Sequence, residues 1–87
     1  MTALRWKPLR SAGVYTRRDG DVTLIEGYLD AYETNHVGAF IWSRCRGELA
    51  VAELGNLVAG RFDVDPDEAN ADVEAFVTDL RELGFVV

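Results

Sequence analysis

The sequence predicts an α+β domain in which a three-stranded antiparallel sheet is followed by three helices. Two observations carry this expectation. Apolar and β-branched residues recur with a period near two before Asn35 and between three and four after it, the spacings of strands and of amphipathic helices. Turn residues of the hairpin kind punctuate the first half, and helix-capping residues punctuate the second.

Val14 to Arg17 is short and rich in strand formers, and Asp19-Gly20-Asp21 is a turn cluster of the kind that joins hairpin strands. Val22 to Ile25, β-branched and mostly apolar, makes the second strand and stops near Glu26-Gly27. A third strand is expected from about Leu29 to Thr34, with Leu29, Ala31 and Glu33 on one side and Asp30, Tyr32 and Thr34 on the other. Its weak alternation suits a strand at a sheet edge.

Asn35 can cap a first helix whose stripe is Val37, Phe40, Ile41 and Cys45, with Gly47 placed to end it. Val51, Leu54, Leu57, Val58 and Phe62 have the spacing of a second helix, which has a poor cap in Ala50 and two destabilising glycines, Gly55 and Gly60. Its stability must come from packing. A third helix opens on Asp65 as cap, with Pro66 at its first position and Glu68 supplying an acidic analogue of a capping box; Gly84 terminates it. The third stripe is Ala69, Val73, Phe76, Val77, Leu80 and Leu83.

At 87 residues the chain is one domain. Only about 60% of the surface of so short a chain can be buried on folding. Residues 1–12, with Trp6 and Pro8, read as an N-terminal arm, of which Trp6 argues that part packs down; residues 13–87 form the domain. One cysteine and one histidine exclude an internal disulfide and the usual zinc-ligand sets, so no metal and no cofactor is expected. A partner is the remaining source of added stability. The longest apolar run, Ala39 to Trp42, is far short of the roughly 20 residues that cross a membrane, and the chain reads as cytoplasmic with no membrane partner.

Charge is unevenly placed around a net value of -6. Residues 1–18 hold Arg5, Lys7, Arg10, Arg17 and Arg18 and no acid. From Asp63 to Leu83 there are Asp63, Asp65, Asp67, Glu68, Asp72, Glu74, Asp79 and Glu82 against Arg81 alone. A helix that acidic repels phosphate, which argues against a nucleic-acid partner. It is either a solvated face or a surface that draws in a basic peptide.

No catalytic constellation emerges, and the chain is read as not an enzyme. Cys45 and His36 lie nine residues apart on one proposed helix, and at about 100° per residue they fall on opposite sides. No acid interrupts an apolar stripe, so none has the enclosed site that raises a carboxyl pKa for general acid work. Asp72 and Asp79 share one face of the third helix, facing solvent or the rim of a groove. The glycines are too scattered to form a phosphate-binding loop.

Taken in order, Tyr32 and Asn35, Gly38, Ile41-Trp42, Gly47, Asp63-Val64-Asp65-Pro66, Asp72-Val73, Phe76 and Leu80 resemble the PqqD-like family, the recognition elements for ribosomally made precursor peptides. The resemblance covers residues 22–87. Thr34 stands where the family usually has leucine, and Glu26-Gly27-Tyr28-Leu29 replaces a more typical hairpin turn. The family is winged-helix-like and binds the leader segment of a precursor as an extra strand along the third strand, beneath the last helix. The resemblance therefore implies a groove with the backbone of Asp30, Ala31, Tyr32, Glu33 and Thr34 on one wall. Val73, Phe76, Val77 and Leu80 are candidates for the other wall, with Asp72 beside them. An exposed strand edge is chemically suited to this, because its unpaired N–H and C=O groups can be satisfied by an added strand. The implied partners are the leader peptide and either a transglutaminase-like leader peptidase, as in lasso-peptide pathways, or a radical S-adenosylmethionine enzyme, as in quinone-cofactor pathways. Two other readings remain: a winged-helix DNA-binding protein, and a structural subunit that binds a folded partner.

Overall fold

The computed structural model describes residues 5–87, in the order β1 (Tyr15–Asp19), β2 (Val22–Glu26), β3 (Ala31–Thr34), α1 (His36–Ser43), α2 (Val51–Phe62) and α3 (Pro66–Glu82). The sheet is antiparallel with spatial order β1-β2-β3. This is the α+β arrangement expected from the change of period.

The β1–β2 hairpin pairs Asp19 with Val22 around Gly20-Asp21. Gly20 has φ 66°, the left-handed geometry that such a short turn requires. β1 is exposed along its whole length, whereas β2 buries Thr23 and Ile25 and keeps Val22, Leu24 and Glu26 half-covered. Arg17 and Glu26 form a solvent-exposed ion pair across the two strands at 3.1 Å.

β3 begins two residues later than the alternation suggests. Glu26 already pairs with Ala31, and the Gly27 N–H donates to the Asp30 carbonyl at 2.8 Å, closing a four-residue loop. Tyr28 and Leu29 stand in that loop, 97% and 84% exposed, and Asp30 ends it. Gly27 has no room for a side chain, since a Cβ there would lie 2.6 Å from the Phe85 ring.

Asn35 caps α1 as its sequence context implies, its side chain accepting from the Val37 and Gly38 N–H groups. α1 nevertheless stops at Ser43, before Gly47. The backbone beyond it is claimed by the N-terminal segment: the Arg10 N–H donates to the Cys45 carbonyl and the Gly47 N–H to the Pro8 carbonyl. Leu9 exchanges N–H···O bonds with Val87 in both directions, and the Trp6 indole N–H donates to the Val87 carbonyl at 3.2 Å. Residues 5–12 are thus laced between the α1–α2 connection and the C-terminus; residues 1–4 of the expected arm lie outside the described residues.

Ala50 has no side-chain oxygen with which to cap α2, and the Glu53 carboxylate instead accepts from the Ala50 N–H at 2.8 Å. Leu57, expected on the buried stripe, is 41% exposed. α2 packs along α3, with Val51, Leu54 and Val58 enclosed against Ala69, Val73, Val77 and Leu80. Ile25, Ile41, Trp42, Cys45, Phe76, Phe85 and Val86 join them in the core.

Pro66 opens α3, and the Asp65 carboxylate accepts from the N–H groups of Asp67 and Glu68. Replacing this cap, Asp65→Ala, is expected to cost about 1 kcal/mol of stability, read as a lower urea midpoint at unchanged slope. Gly84, at φ 79°, turns the chain so that the Phe85 N–H reaches the Leu80 carbonyl and the last residues return to the core.

Candidate peptide-binding groove

β3 has a partner on one side only, so its other edge is open. The register decides which residues serve that edge. Gly27 and Asp30 are joined by an N–H···O bond, and in an antiparallel ladder bonded and non-bonded pairs alternate. Counting along, Ile25–Tyr32 and Thr23–Thr34 are bonded pairs, and Glu26–Ala31 and Leu24–Glu33 are non-bonded ones. Ala31 and Glu33 therefore direct their N–H and C=O groups outward.

α3 lies beside this edge. The Tyr32 ring meets Phe76 edge-to-face with centroids 5.7 Å apart, and its hydroxyl donates to the Asp79 carboxylate at 3.3 Å. Partial burial, then the charge of Asp79 and the hydrogen bond to it, hold the Tyr32 phenol above its ordinary pKa, so it remains a donor. Toward the end of β3 the trough deepens into a pocket of about 290 Å³ whose lining includes Thr34, Val37, Val58 and Phe76, with Glu68 and Asp72 among its acidic members. Apolar surface bordered by carboxylates suits an apolar side chain followed or preceded by a basic one. Thr34 belongs to this corner for a packing reason: a side chain on Gly38 would overlap the Thr34 hydroxyl and methyl, so β3 and α1 can approach only because Gly38 is bare.

The residues singled out from the sequence separate into two groups. Tyr32, Thr34, Asp72 and Phe76 lie at the trough, whereas Ala31 and Glu33 alternate with them as exposed residues that bring only backbone to the open edge; Asp30 and Ala31 border a separate depression at the β2–β3 loop. Val73, Val77 and Leu80 are 0% exposed and belong to the core beneath, where a peptide could not touch them without opening the fold. Phe76, at 9%, sits at the boundary. The stripe of α3 is wide enough to serve both, and helical spacing alone does not distinguish its edge from its centre. Val37, Val58 and Val64 were legible as apolar but not as pocket lining, since that depends on how α1, α2 and the junction before α3 meet.

Cys45 and His36 remain apart. Cys45 is buried, its Sγ donating to the Ile41 carbonyl, and burial pushes its thiol up to about 11. At pH 8 almost no thiolate is present in the folded state, so alkylation of the native protein is expected to be slow and to become fast in denaturant. The folded-state pKa lies above the unfolded one, so the unfolded chain loses this proton first. The Cys45 contribution is therefore a fall in stability as pH rises from about 9 to about 11, measurable by urea titration.

The family described as Coenzyme PQQ synthesis protein D (PqqD) matches residues 22–86. The chain belongs to the PqqD family. The match spans β2, β3 and all three helices of this PqqD-family chain, the parts that build the groove. No curated protein matches it in sequence. Among solved structures it is similar to "Lasso peptide synthetase B1 complexed with the leader peptide", at 17% identity and TM-score 0.76, covering 93% of this chain and 98% of that one. It is also similar to "TbiB1 in Complex with the TbiA(beta) Leader Peptide", at 18% identity and TM-score 0.73, covering 90% and 93%. At these identities the likeness is one of fold, with strands and helices in the same arrangement.

Proposed function

We propose that this chain binds the leader segment of a ribosomally made precursor peptide as a fourth strand on β3 and delivers it to a separate enzyme. The observation that carries the reading is the open β3 edge beside α3, where Ala31 and Glu33 present two N–H and two C=O groups outward. An extended peptide satisfies these groups, and the pocket between Thr34 and Phe76 receives one of its side chains. Membership of the PqqD family and the leader complexes named for the two structural relatives support the same reading.

Capture raises the effective concentration of the attached core peptide near the enzyme without taking part in the reaction. Ordering a flexible leader opposes binding, so affinity is moderate even with good pairing. The name of one relative, a lasso peptide synthetase, supports a lasso-peptide setting, for which the family resemblance implies a transglutaminase-like leader peptidase as the enzyme served. The family description, coenzyme PQQ synthesis, supports the other setting, for which the resemblance implies a radical S-adenosylmethionine enzyme. The chain itself contributes binding and has no part in catalysis.

Fluorescence anisotropy with labelled leaders of precursor frames neighbouring the gene tests this. Saturable binding to one leader, absent for a scrambled leader, is expected; salt-sensitive binding of duplex DNA with no leader binding would overturn it. The carboxylates at the groove make a further prediction. Asp72→Lys should weaken a leader that is basic at that position by about two- to fivefold at low salt, the size of an exposed ion pair. A leader neutral there should bind unchanged.

A further inference from the structure

A second surface lies on the next face of α1. His36, Ala39 and Phe40 border a shallow depression shared with Arg18, Asp21 and Thr23 of the hairpin and with Arg61 and Phe62 of α2. No residue of α3 lines it, and it shares no residue with the pocket at the groove. Phe40 and Phe62 meet edge-to-face with centroids 5.5 Å apart, both half-buried. Two guanidinium groups and an imidazole ring surround this pair. The Arg44 guanidinium stands 5.1 Å from the Phe40 centroid, Arg61 stands 5.4 Å from Phe62 and 5.9 Å from Phe40, and the His36 ring lies 5.6 Å from Phe62.

These arginines are not used internally. Among the described residues the one ion pair within 4.0 Å is Arg17–Glu26, so Arg18, Arg44 and Arg61 have no carboxylate at that distance. Asp21 is the one acid in the lining. On a chain of net charge -6, three exposed and unpaired arginines around an aromatic pair form a local reversal of sign. Stacking on a ring restrains the guanidinium while leaving N–H groups free for a carboxylate, so less side-chain entropy is lost on binding. Arginine and aromatic residues are also the types that dominate binding energy at protein interfaces.

We propose that this cation–aromatic face, built by Arg18, His36, Phe40, Arg44, Arg61 and Phe62, docks an acidic segment of a second protein. Charge complementarity selects that occupant. A nucleic acid would bring a long array of phosphates into the field of Asp67, Glu68, Asp72, Glu74, Asp79 and Glu82 on α3, whereas a short carboxylate-bearing segment is met at contact range by the arginines alone. Because the face and the groove share no lining residue, both can be filled at once. The face does not depend on leader capture, and its failure would leave that reading untouched.

The test is an amide NMR titration of the full chain with a synthetic peptide rich in glutamate and leucine, alongside a lysine-rich peptide and a short DNA duplex. Shifts from the acidic peptide are expected to gather at the six residues named and to fade with added salt. The exposed double substitution Arg44→Glu with Arg61→Glu should lower its affinity by about tenfold or more. Leader affinity of the same folded variant should stay within about twofold, since neither residue touches the groove. Shifts that are absent or scattered, an undiminished affinity in the double variant, or tighter binding of the duplex at these residues would overturn the proposal.

Discussion

Ala31→Pro should abolish leader capture while leaving the protein folded. The Ala31 N–H points away from β2, so proline there removes an outward donor and places its ring where an added strand would lie, without breaking the internal ladder. Ala31 is also the first residue of β3, a position at which proline is tolerated. Loss of an outward bond, together with displacement of the neighbouring ones, removes about 2–3 kcal/mol, equivalent to a fall in affinity of at least about thirtyfold. Glu33→Pro should act alike. Tyr32→Pro should differ in kind, because its N–H belongs to the bonded pair with Ile25, and loss of stability of about 3 kcal/mol is expected there. Circular dichroism and anisotropy on the three variants separate the effects. A folded Ala31→Pro protein that binds a leader with undiminished affinity would rule out strand addition at this edge.

The two glycines of α2 should respond in opposite directions to alanine. At Gly55 an added Cβ would overlap the Asn70 side-chain carbonyl, and the Asn70 Cα lies only 3.1 Å away, so α2 and α3 would be forced apart along their main contact. Overpacking of this kind costs about 1–3 kcal/mol, which for a domain of this size lowers the melting temperature by about 4–8 °C per kcal/mol. Asn70 Oδ1 is buried without a hydrogen-bond partner, so the side chain has no bond to sacrifice, but backbone behind it limits its retreat. At Gly60 nothing lies within 4 Å of an added Cβ, and Gly60→Ala should stabilise by about 0.5–1 kcal/mol through helix propensity. Melting curves of the two variants check both signs; equal behaviour would remove the close α2–α3 approach as the reason for Gly55.

Local chemistry was legible where a residue's partner is its near neighbour. Asn35 and Asp65 cap helices through N–H groups two and three residues on, and Gly20 supplies a left-handed turn between adjacent strands. The end of α1 was not legible in this way. Gly47 is a plausible terminator by position, yet the helix ends at Ser43 because the Cys45 carbonyl and Gly47 N–H are taken by Arg10 and Pro8, more than thirty residues earlier. Leu57 likewise fits the apolar spacing of α2 but looks outward, since no element of the described chain covers that side enough to bury it. The start of β3 depended on the pairing of Glu26 with Ala31, which no propensity of Leu29 or Asp30 encodes.

The sequence by itself determined the order of strands and helices and the acidic character of the last helix, because periodicity, capping and charge are properties of neighbouring residues. The division of α3 was decided only in three dimensions: Val73, Val77 and Leu80 are sealed beneath α2 and the sheet, while Phe76 stays at the boundary beside Tyr32. So was the gathering of Arg44 and Arg61 around Phe40 and Phe62, residues from α1, its C-cap and α2 with no common sequence pattern. The physical reason is the same in both cases. A helix stripe specifies that a face is apolar, but which part of it meets core, groove or solvent depends on the shape of the elements packed against it.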